Sequence, residues 1–534
     1  MTNIKVLIRE KLTRLYNRKI FNFLNWNQPV VNMNNTNSNN NRRNEWTGGA
    51  IVAGVAAALV GGAAYYFTRD SKPKPQSAAP RTQITTPDRQ TQTSDSTSVS
   101  SYLSNMISRM STVSGENVAP AARRSNIPDN PVITNLNSLV DDICVRYIRL
   151  RESDFELHYR VFDKIFQDLH KKMKEVDPYY RKYSSTVQFA GSHYDNLRIK
   201  KPDEFDMDIV IGLPLSINAN PLDSNGSDIT IEPKHAGFVQ LRMGTQFQKL
   251  PWRDGEEWLV NKAAYEWKDD SNYLLRSKFS DWFKSVVNRA LNLCGVSADS
   301  KPIYYVDGIP YTIDKSESGP AVTLFIRNRS RNFQMDVDLV PALKFPESRW
   351  PIGRTYREIP PQCRRGYWMV VGKPNKASPF PHDQMRSWRL ALHNQERELM
   401  HDSYNLRQAI RLMKKLRDSQ GMKKVASYYV KTLFFWEIVN RNDQSFWMRT
   451  NPATLFKLMV GRFHEALVAG NIPYFWNNSN NLIGSVDRRV LNEYAAKLVP
   501  LMAVLERPAD YKQVAKYLLT PEEFADYNAR FLHI

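Results

Sequence analysis

Glu204-Phe205-Asp206-Met207-Asp208-Ile209-Val210-Ile211-Gly212-Leu213 opens on alternating acids and closes on an apolar run. In an extended chain, residues two apart share a face, so Glu204 and Asp206 project their carboxylates together, with Asp208 farther along. Carboxylates held that close repel one another, and a hard divalent cation bound through oxygen relieves the repulsion. The same stretch fits a solvated strand face equally well, so its neighbours must decide. About 130 residues on, Met335-Asp336-Val337-Asp338-Leu339-Val340 forms a second acid-bearing run. If the two runs are adjacent strands, Asp338 completes a three-carboxylate site able to hold two Mg²⁺, although spacing alone admits Asp336 in its place. Two such ions suit a displacement in which one activates a hydroxyl and the other holds a triphosphate and its leaving pyrophosphate. Just upstream, Gly191-Ser192 follows the run TVQFA (186–190). Glycine lets backbone approach closely there, and serine adds amide and hydroxyl donors suited to phosphate oxygens.

Outward from these runs, residues 135–176 read as one long helix or a helix pair closed by Pro178. Further strand-like runs cover 229–231 and 321–327, and beyond about 383 the pattern turns almost wholly helical. The expected architecture is an α/β or α+β core lobe with a central mixed sheet over 131–382, joined to an all-helical lobe over 383–534. Ahead of it, 1–47 is a basic amphipathic and Asn-rich tail. Residues 48–68 run 21 positions without a charge, the length of a transmembrane helix, and 69–130 form a polar, disordered linker. The amphipathic start also fits a mitochondrial address or a membrane-surface helix.

Composition sets the outer limits. At 534 residues with 42% hydrophobic and 11% aromatic content, the chain is neither wholly disordered nor collagen-like. Its three cysteines, Cys144, Cys294 and Cys363, exclude a disulfide scaffold and any four-thiolate metal site. A net charge of +20 favours anionic partners such as nucleic acid, nucleotides or a membrane surface. No P-loop or Gly-rich dinucleotide loop is present.

The Gly-Ser turn, the Glu-x-Asp strand and the distant Asp together resemble the signature of template-independent nucleotidyltransferases. The words GPAVTLFIRN (319–328), VDLVPAL (337–343), SWRLAL (387–392), RLMKKL (411–416) and SYYVKTLFF (427–435) resemble, in order, those of the cyclic GMP-AMP synthase-like receptors. The resemblance spans roughly 131–505. It implies Glu204, Asp206 and Asp338 as catalytic metal ligands for Mg²⁺ or Mn²⁺, with ATP and GTP as substrates. It further implies that Ser192 contacts ATP phosphate, Arg389 the GTP, and Glu396 the nucleotide pocket. Lys414 would reach the triphosphate, Ser427 hold phosphate, Tyr428 stack on a base and Lys431 complete a basic wall.

The product implied is cyclic GMP-AMP, acting on a STING-type receptor in antiviral defence. Two departures qualify the pattern. Ala391 and His393 stand where the vertebrate enzyme has guanine-reading serines. Only His401-Asp402-Ser403-Tyr404 occupies the place of its zinc ribbon, and no cysteine follows Cys363, so no zinc is expected. Double-stranded RNA thereby becomes the expected activator. It would be read by shape on a basic helix carrying Arg146, Arg149, Arg151, Arg160, Lys164, Lys171, Lys172 and Lys174, although interspersed acids also fit a solvated surface. The layout implies a cytosol-facing protein anchored on a membrane, with the mitochondrial outer membrane as one candidate. The alternative is a non-catalytic membrane-anchored adaptor resembling mitochondrial dynamics proteins; retention of all three acids favours the enzyme.

Overall fold

A computed structural model describes residues 131–534, apart from 151, 196, 200–201, 216, 218–227, 254, 352–355, 401–402 and 534. The expected tail, membrane span and linker (1–130), together with Arg151 and the His401-Asp402 pair, lie outside the described residues.

The first described helix, α1 (Leu136–Ile143), is capped by Asn135, whose side chain accepts from Ser138 N. It runs through a π turn, Cys144–Ile148, before α2 (Glu152–Val176) and α3 (Pro178–Tyr183). Pro178 at the start of α3 lacks only an amide that would be unpaired there anyway, and Asp177 caps Tyr180 N at 2.8 Å. Of the two expected forms, the structure has the helix pair closed by Pro178, with the break at extended Arg149 just after the π turn. Phe155, Tyr159, Phe162, Phe166, Leu169 and Met173 recur every three to four residues along α2 and are all buried.

Those rings lie on a sheet of eleven strands among the described residues. In chain order they are β1 (Ser184–Ala190), β2 (Glu204–Ile211), β3 (Ile229–His235), β4 (Phe238–Met243), β5 (Gly295–Val296) and β6 (Pro302–Val306). There follow β7 (Ile309–Ser318), β8 (Ala321–Asn328), β9 (Phe333–Pro346), β10 (Tyr367–Val371) and β11 (Trp388–Ala391). The main path runs β3-β4-β11-β10-β9-β8-β7-β6-β5, with β2 attached to β9 and β1 to β2. Every pairing is antiparallel except β2 with β9, so the sheet is mixed, as expected. Phe205 of β2 stacks on Phe162 of α2 with ring centroids 4.7 Å apart. Burial of one such ring is worth roughly 1.5–3 kcal/mol, which holds the odd-numbered face of β2 inward and leaves Glu204 and Asp206 on the other face. Helix α4 (Arg276–Leu291) buries Phe279, Phe283, Val286 and Val287.

Beyond 383 the expectation of an almost wholly helical chain needs one correction: β11 belongs to the main sheet, between β10 and β4. Trp388 and Leu390 alternate with Arg389 and Ala391 as a strand requires, but a run of four residues leading almost directly into the helix that begins at His393 is a weak signal. Thereafter α5 (His393–Leu399), α6 (Tyr404–Ser419), α7 (Ser427–Arg441), α8 (Pro452–Ala469) and α9 (Arg488–Leu505) form the helical part, with a hairpin at Pro473–Tyr474 and Asn477–Asn481. The last residues return to the first described helix, where Tyr527 donates to Asp142 Oδ2 at 2.6 Å, and to α6, where Lys415 pairs with Glu523 at 2.5 Å. No helix among the described residues is long and apolar enough to cross a membrane.

Candidate active site

The parallel register of β2 and β9 sets Asp206 beside Asp338 and Glu204 beside Asp336. Glu204, Asp206 and Asp338 each offer a carboxylate oxygen within 4.8 Å of the others, and this is the group of potential metal ligands found among the described residues. Spacing left Asp336 and Asp338 open, and the geometry closes the trio with Asp338. Its Oδ1 accepts from Thr323 Oγ1 at 2.6 Å, across the β8–β9 ladder. Asp336 has its amide donating to Asp203 O at 2.8 Å and one carboxylate oxygen, Oδ1, buried without a hydrogen bond.

Crowding has the electrostatic effect the sequence implied. Burial, then the charges of Glu204 and Asp338, push the Asp206 carboxyl up to about 6. Arg198 offsets part of this, its guanidinium bridging Glu204 and, at 2.6 Å, Asp203. Beneath, His393 Nε2 lies 3.3 Å from Asp208 Oδ2, and burial drives both groups toward their neutral forms. Three hard oxygen donors in a site that resists their shared ionisation suit a divalent cation.

Gly191 directly follows β1 with φ at +72°, and a Cβ there would fall 1.7 Å from Asp206 Oδ2, so no other residue fits without moving the acid. Ser192 is half-buried in the following turn, its carbonyl accepting from Leu197 N at 2.8 Å. Lys414, on α6, reaches that same loop and donates to Leu197 O at 2.7 Å. Burial, reinforced by Arg198, lowers its ammonium to about 8.

A second group gathers around Glu396 of α5. Its Oε1 accepts from Tyr428 Oη at 2.7 Å and from Trp476 Nε1 at 3.1 Å, and its Oε2 lies 3.3 Å from Lys431 Nζ. Tyr428 also faces Tyr474, with ring centroids 6.4 Å apart. Arg389, on β11 opposite Val371 and Phe238, acts electrostatically on both tyrosines and so belongs to the same wall. Ser427 begins α7, half-buried beside Tyr428.

The nucleotide-side residues named from the sequence thus fall into two neighbouring sets, Ser192 with Lys414 and Arg389 with Glu396, Ser427, Tyr428 and Lys431. Sequence reasoning missed Asp195, Arg198, Arg397 and Trp476, which supply the partners that hold these sets. Asp195 is buried and lies 2.6 Å from Lys431 Nζ and 3.3 Å from Arg397 Nε. Burial raises its carboxyl, but the two cations outweigh that and hold it below the ordinary value. Its place four residues after Gly191 was a usable signal. Trp476, eighty positions from Glu396, gave none.

On the expected nucleic-acid helix, Arg160, Lys164 and Lys171 are exposed at helical spacing. Arg160 pairs with Asp307 at 3.5 Å even so, and others turn further inward: Arg146 pairs with Asp142 at 3.0 Å, Arg149 donates to Tyr404 Oη at 2.8 Å, and Lys172 pairs with Asp168 and lies over the Tyr304 ring.

The Mab-21 protein nucleotidyltransferase domain matches residues 193–402, and the Mab-21 protein HhH/H2TH-like domain matches 405–499. The chain is 31% identical over 417 residues to a cyclic GMP-AMP synthase-like receptor of Ctenocephalides felis, covering 76% of this chain and 93% of that one. A cyclic GMP-AMP synthase-like receptor of Tribolium castaneum is 31% identical over 400 residues, covering 73% and 94%. Cyclic GMP-AMP synthase-like receptor 1 of Drosophila melanogaster is 26% identical over 371 residues, covering 64% and 85%.

Proposed function

The chain belongs to the cyclic GMP-AMP synthase-like receptors and carries their Mab-21 nucleotidyltransferase domain, and from that premise we propose a metal-dependent synthase that joins ATP and GTP into cyclic GMP-AMP. The observation that carries the reading is the convergence of Glu204, Asp206 and Asp338 across the parallel β2–β9 pair. These three would hold Mg²⁺ or Mn²⁺, which when bound supplies charge stabilisation at the reacting phosphate. A ribose hydroxyl of one nucleotide attacks the α-phosphorus of the other, forming the new P–O bond as the bond to pyrophosphate breaks. Asp338 takes the hydroxyl proton on Oδ2, its Oδ1 being held by Thr323. A second transfer closes the ring and releases a second pyrophosphate.

Around that centre, Ser192 and Lys414 hold the triphosphate, with Ser427 adding a phosphate contact at the start of α7. Tyr428 stacks on the base, Arg389 addresses the GTP, and Glu396 and Lys431 line the pocket. Double-stranded RNA on the exposed stripe of Arg160, Lys164 and Lys171 is the activating ligand, and the product acts on a STING-type receptor. Residues 48–68 attach the chain to a membrane with its folded part facing the cytosol.

Two experiments test the reading. Glu204→Gln with Asp206→Asn is expected to abolish labelled dinucleotide synthesis from ATP, GTP and Mn²⁺ while circular dichroism stays unchanged; full activity in that variant refutes the metal assignment. Full-length chain is expected in the membrane fraction of cells and a chain lacking residues 1–70 in the soluble one. Equal partition of the two removes the anchor.

A further inference from the structure

Resting on the synthase reading above, we propose that Asp195 is a positioning residue, which ties the Gly191–Ser192 turn to α7 through Lys431. Asp195 is 4% exposed, and its amide donates to Gly191 O at 3.3 Å, so it moves with that turn. Its carboxylate, 2.6 Å from Lys431 Nζ, crosses from the sheet to the helical part of the chain. Lys431 Nζ reaches on to Glu396 Oε2 at 3.3 Å, and the other Glu396 oxygen accepts from Tyr428 Oη. One unbroken line of charged hydrogen bonds therefore runs from the ring assigned to the base, through Glu396 and Lys431, to the turn assigned to the phosphates.

Two features separate this from an ordinary buried ion pair, which on its own is weak evidence of stability. The turn it restrains is the one whose Gly191 packs so closely on Asp206 that a Cβ would sit 1.7 Å from Oδ2. A small displacement of the turn thus alters the distance between phosphate donors and the metal acids. The second feature is economy of bonding. Lys431 directs two of its three donors inward, and both oxygens of Glu396 accept from protein groups, so these residues set the position of others more than they contact nucleotide. Seating a base against Tyr428 fixes its hydroxyl, and the line conveys that order to the phosphate turn.

The test compares Asp195→Asn, Lys431→Gln and the double variant with the unmodified chain. Amide hydrogen exchange of residues 189–199, measured without nucleotide, is expected to quicken about ten-fold in each single variant and no further in the double. Unchanged exchange there, or losses that multiply in the double, overturns the link. In synthesis, Asp195→Asn is expected to lower kcat about ten-fold or more with KM within about three-fold, and Asp195→Glu to recover part of the loss. A loss confined to KM, or Asp195→Glu no better than Asp195→Asn, also overturns it. If Asp195→Asn does not fold, Lys431→Gln and the double, in which an amide pair replaces the ion pair, carry the comparison. Should the unmodified chain make no dinucleotide, the synthase reading fails, while the exchange measurement still decides the role of Asp195.

Discussion

Asp206 retains its proton to about pH 6 because burial and two neighbouring carboxylates disfavour the charge, whereas an unfolded chain releases it near pH 3.9. Between those values the folded state binds more protons than the unfolded one, so this group's contribution falls as pH rises and is fully lost above about 6. Measured against Asp206→Asn, so that the opposing titrations of Asp208 and His393 are common to both, chemical denaturation of the metal-free chain is expected to show an extra loss of about 1–2 kcal/mol across that window, less than the whole shift because water reaches part of the side chain. Asp206→Asn should flatten the loss. Magnesium or manganese at pH 7 should raise the melting temperature of the unmodified chain and leave that of Asp206→Asn nearly unmoved. A pH profile identical in the two proteins removes the carboxylate crowding as its cause. At this scale the acids were legible because a period of two places alternate residues on one face. The pairing of Asp195 was not, since its place after Gly191 flags the residue but nothing in a single sequence tells that a lysine 236 positions away will meet it.

Helix α2 has two faces with separate consequences. Its buried face, from Phe155 to Met173, was readable as an unbroken apolar stripe, and the structure seats it on the sheet. Its outer face was readable only as a list of cations, because sequence does not show which of them turn inward to acids or rings. Lys172 does so, and Lys164 and Lys171 do not. Lys164→Glu with Lys171→Glu is therefore expected to weaken stimulation by duplex RNA and to reduce the salt slope of binding by roughly one per lost phosphate contact, with ATP binding intact. An unchanged RNA response moves the ligand elsewhere. The strand β11 was hidden for a different reason: its alternation lasts only four residues, and its place is set by pairing with β4 and β10.

Across the whole molecule, the C-terminal residues are bound to the first helix and to α6. Tyr527 satisfies buried Asp142, Arg146 lies 4.2 Å from the centre of the Phe531 ring, and Lys415, 1% exposed, takes a counter-charge from Glu523. Removing residues 521–534 takes that carboxylate away from a buried ammonium. The truncated chain is expected to lose about 3–5 kcal/mol by urea denaturation, and Lys415→Met in the truncated background should restore part of it. No change on truncation would show these contacts to be incidental. The two-part plan of mixed sheet followed by helices was legible because each part has its own dominant period. The clasp between the ends was not, being a long-range pairing between segments that each look like ordinary amphipathic helix.

The one parallel pairing in the sheet also bears on how the protein comes into being. Asp206 and Asp338 lie on strands that pair along the whole of β2 yet are separated by about 130 residues of chain, which include six further strands of the same sheet. On a ribosome adding roughly 5–20 residues per second, β2 emerges some 7–26 seconds before its partner. Throughout that interval one edge of an acid-bearing strand has nothing to pair with, and closing so long a loop is the slow kind of folding step. A chain interrupted between β2 and β9 therefore carries two of the three carboxylates proposed to hold the metal. On the proposed synthase reading, such a chain is expected to be inert rather than a constitutively active fragment.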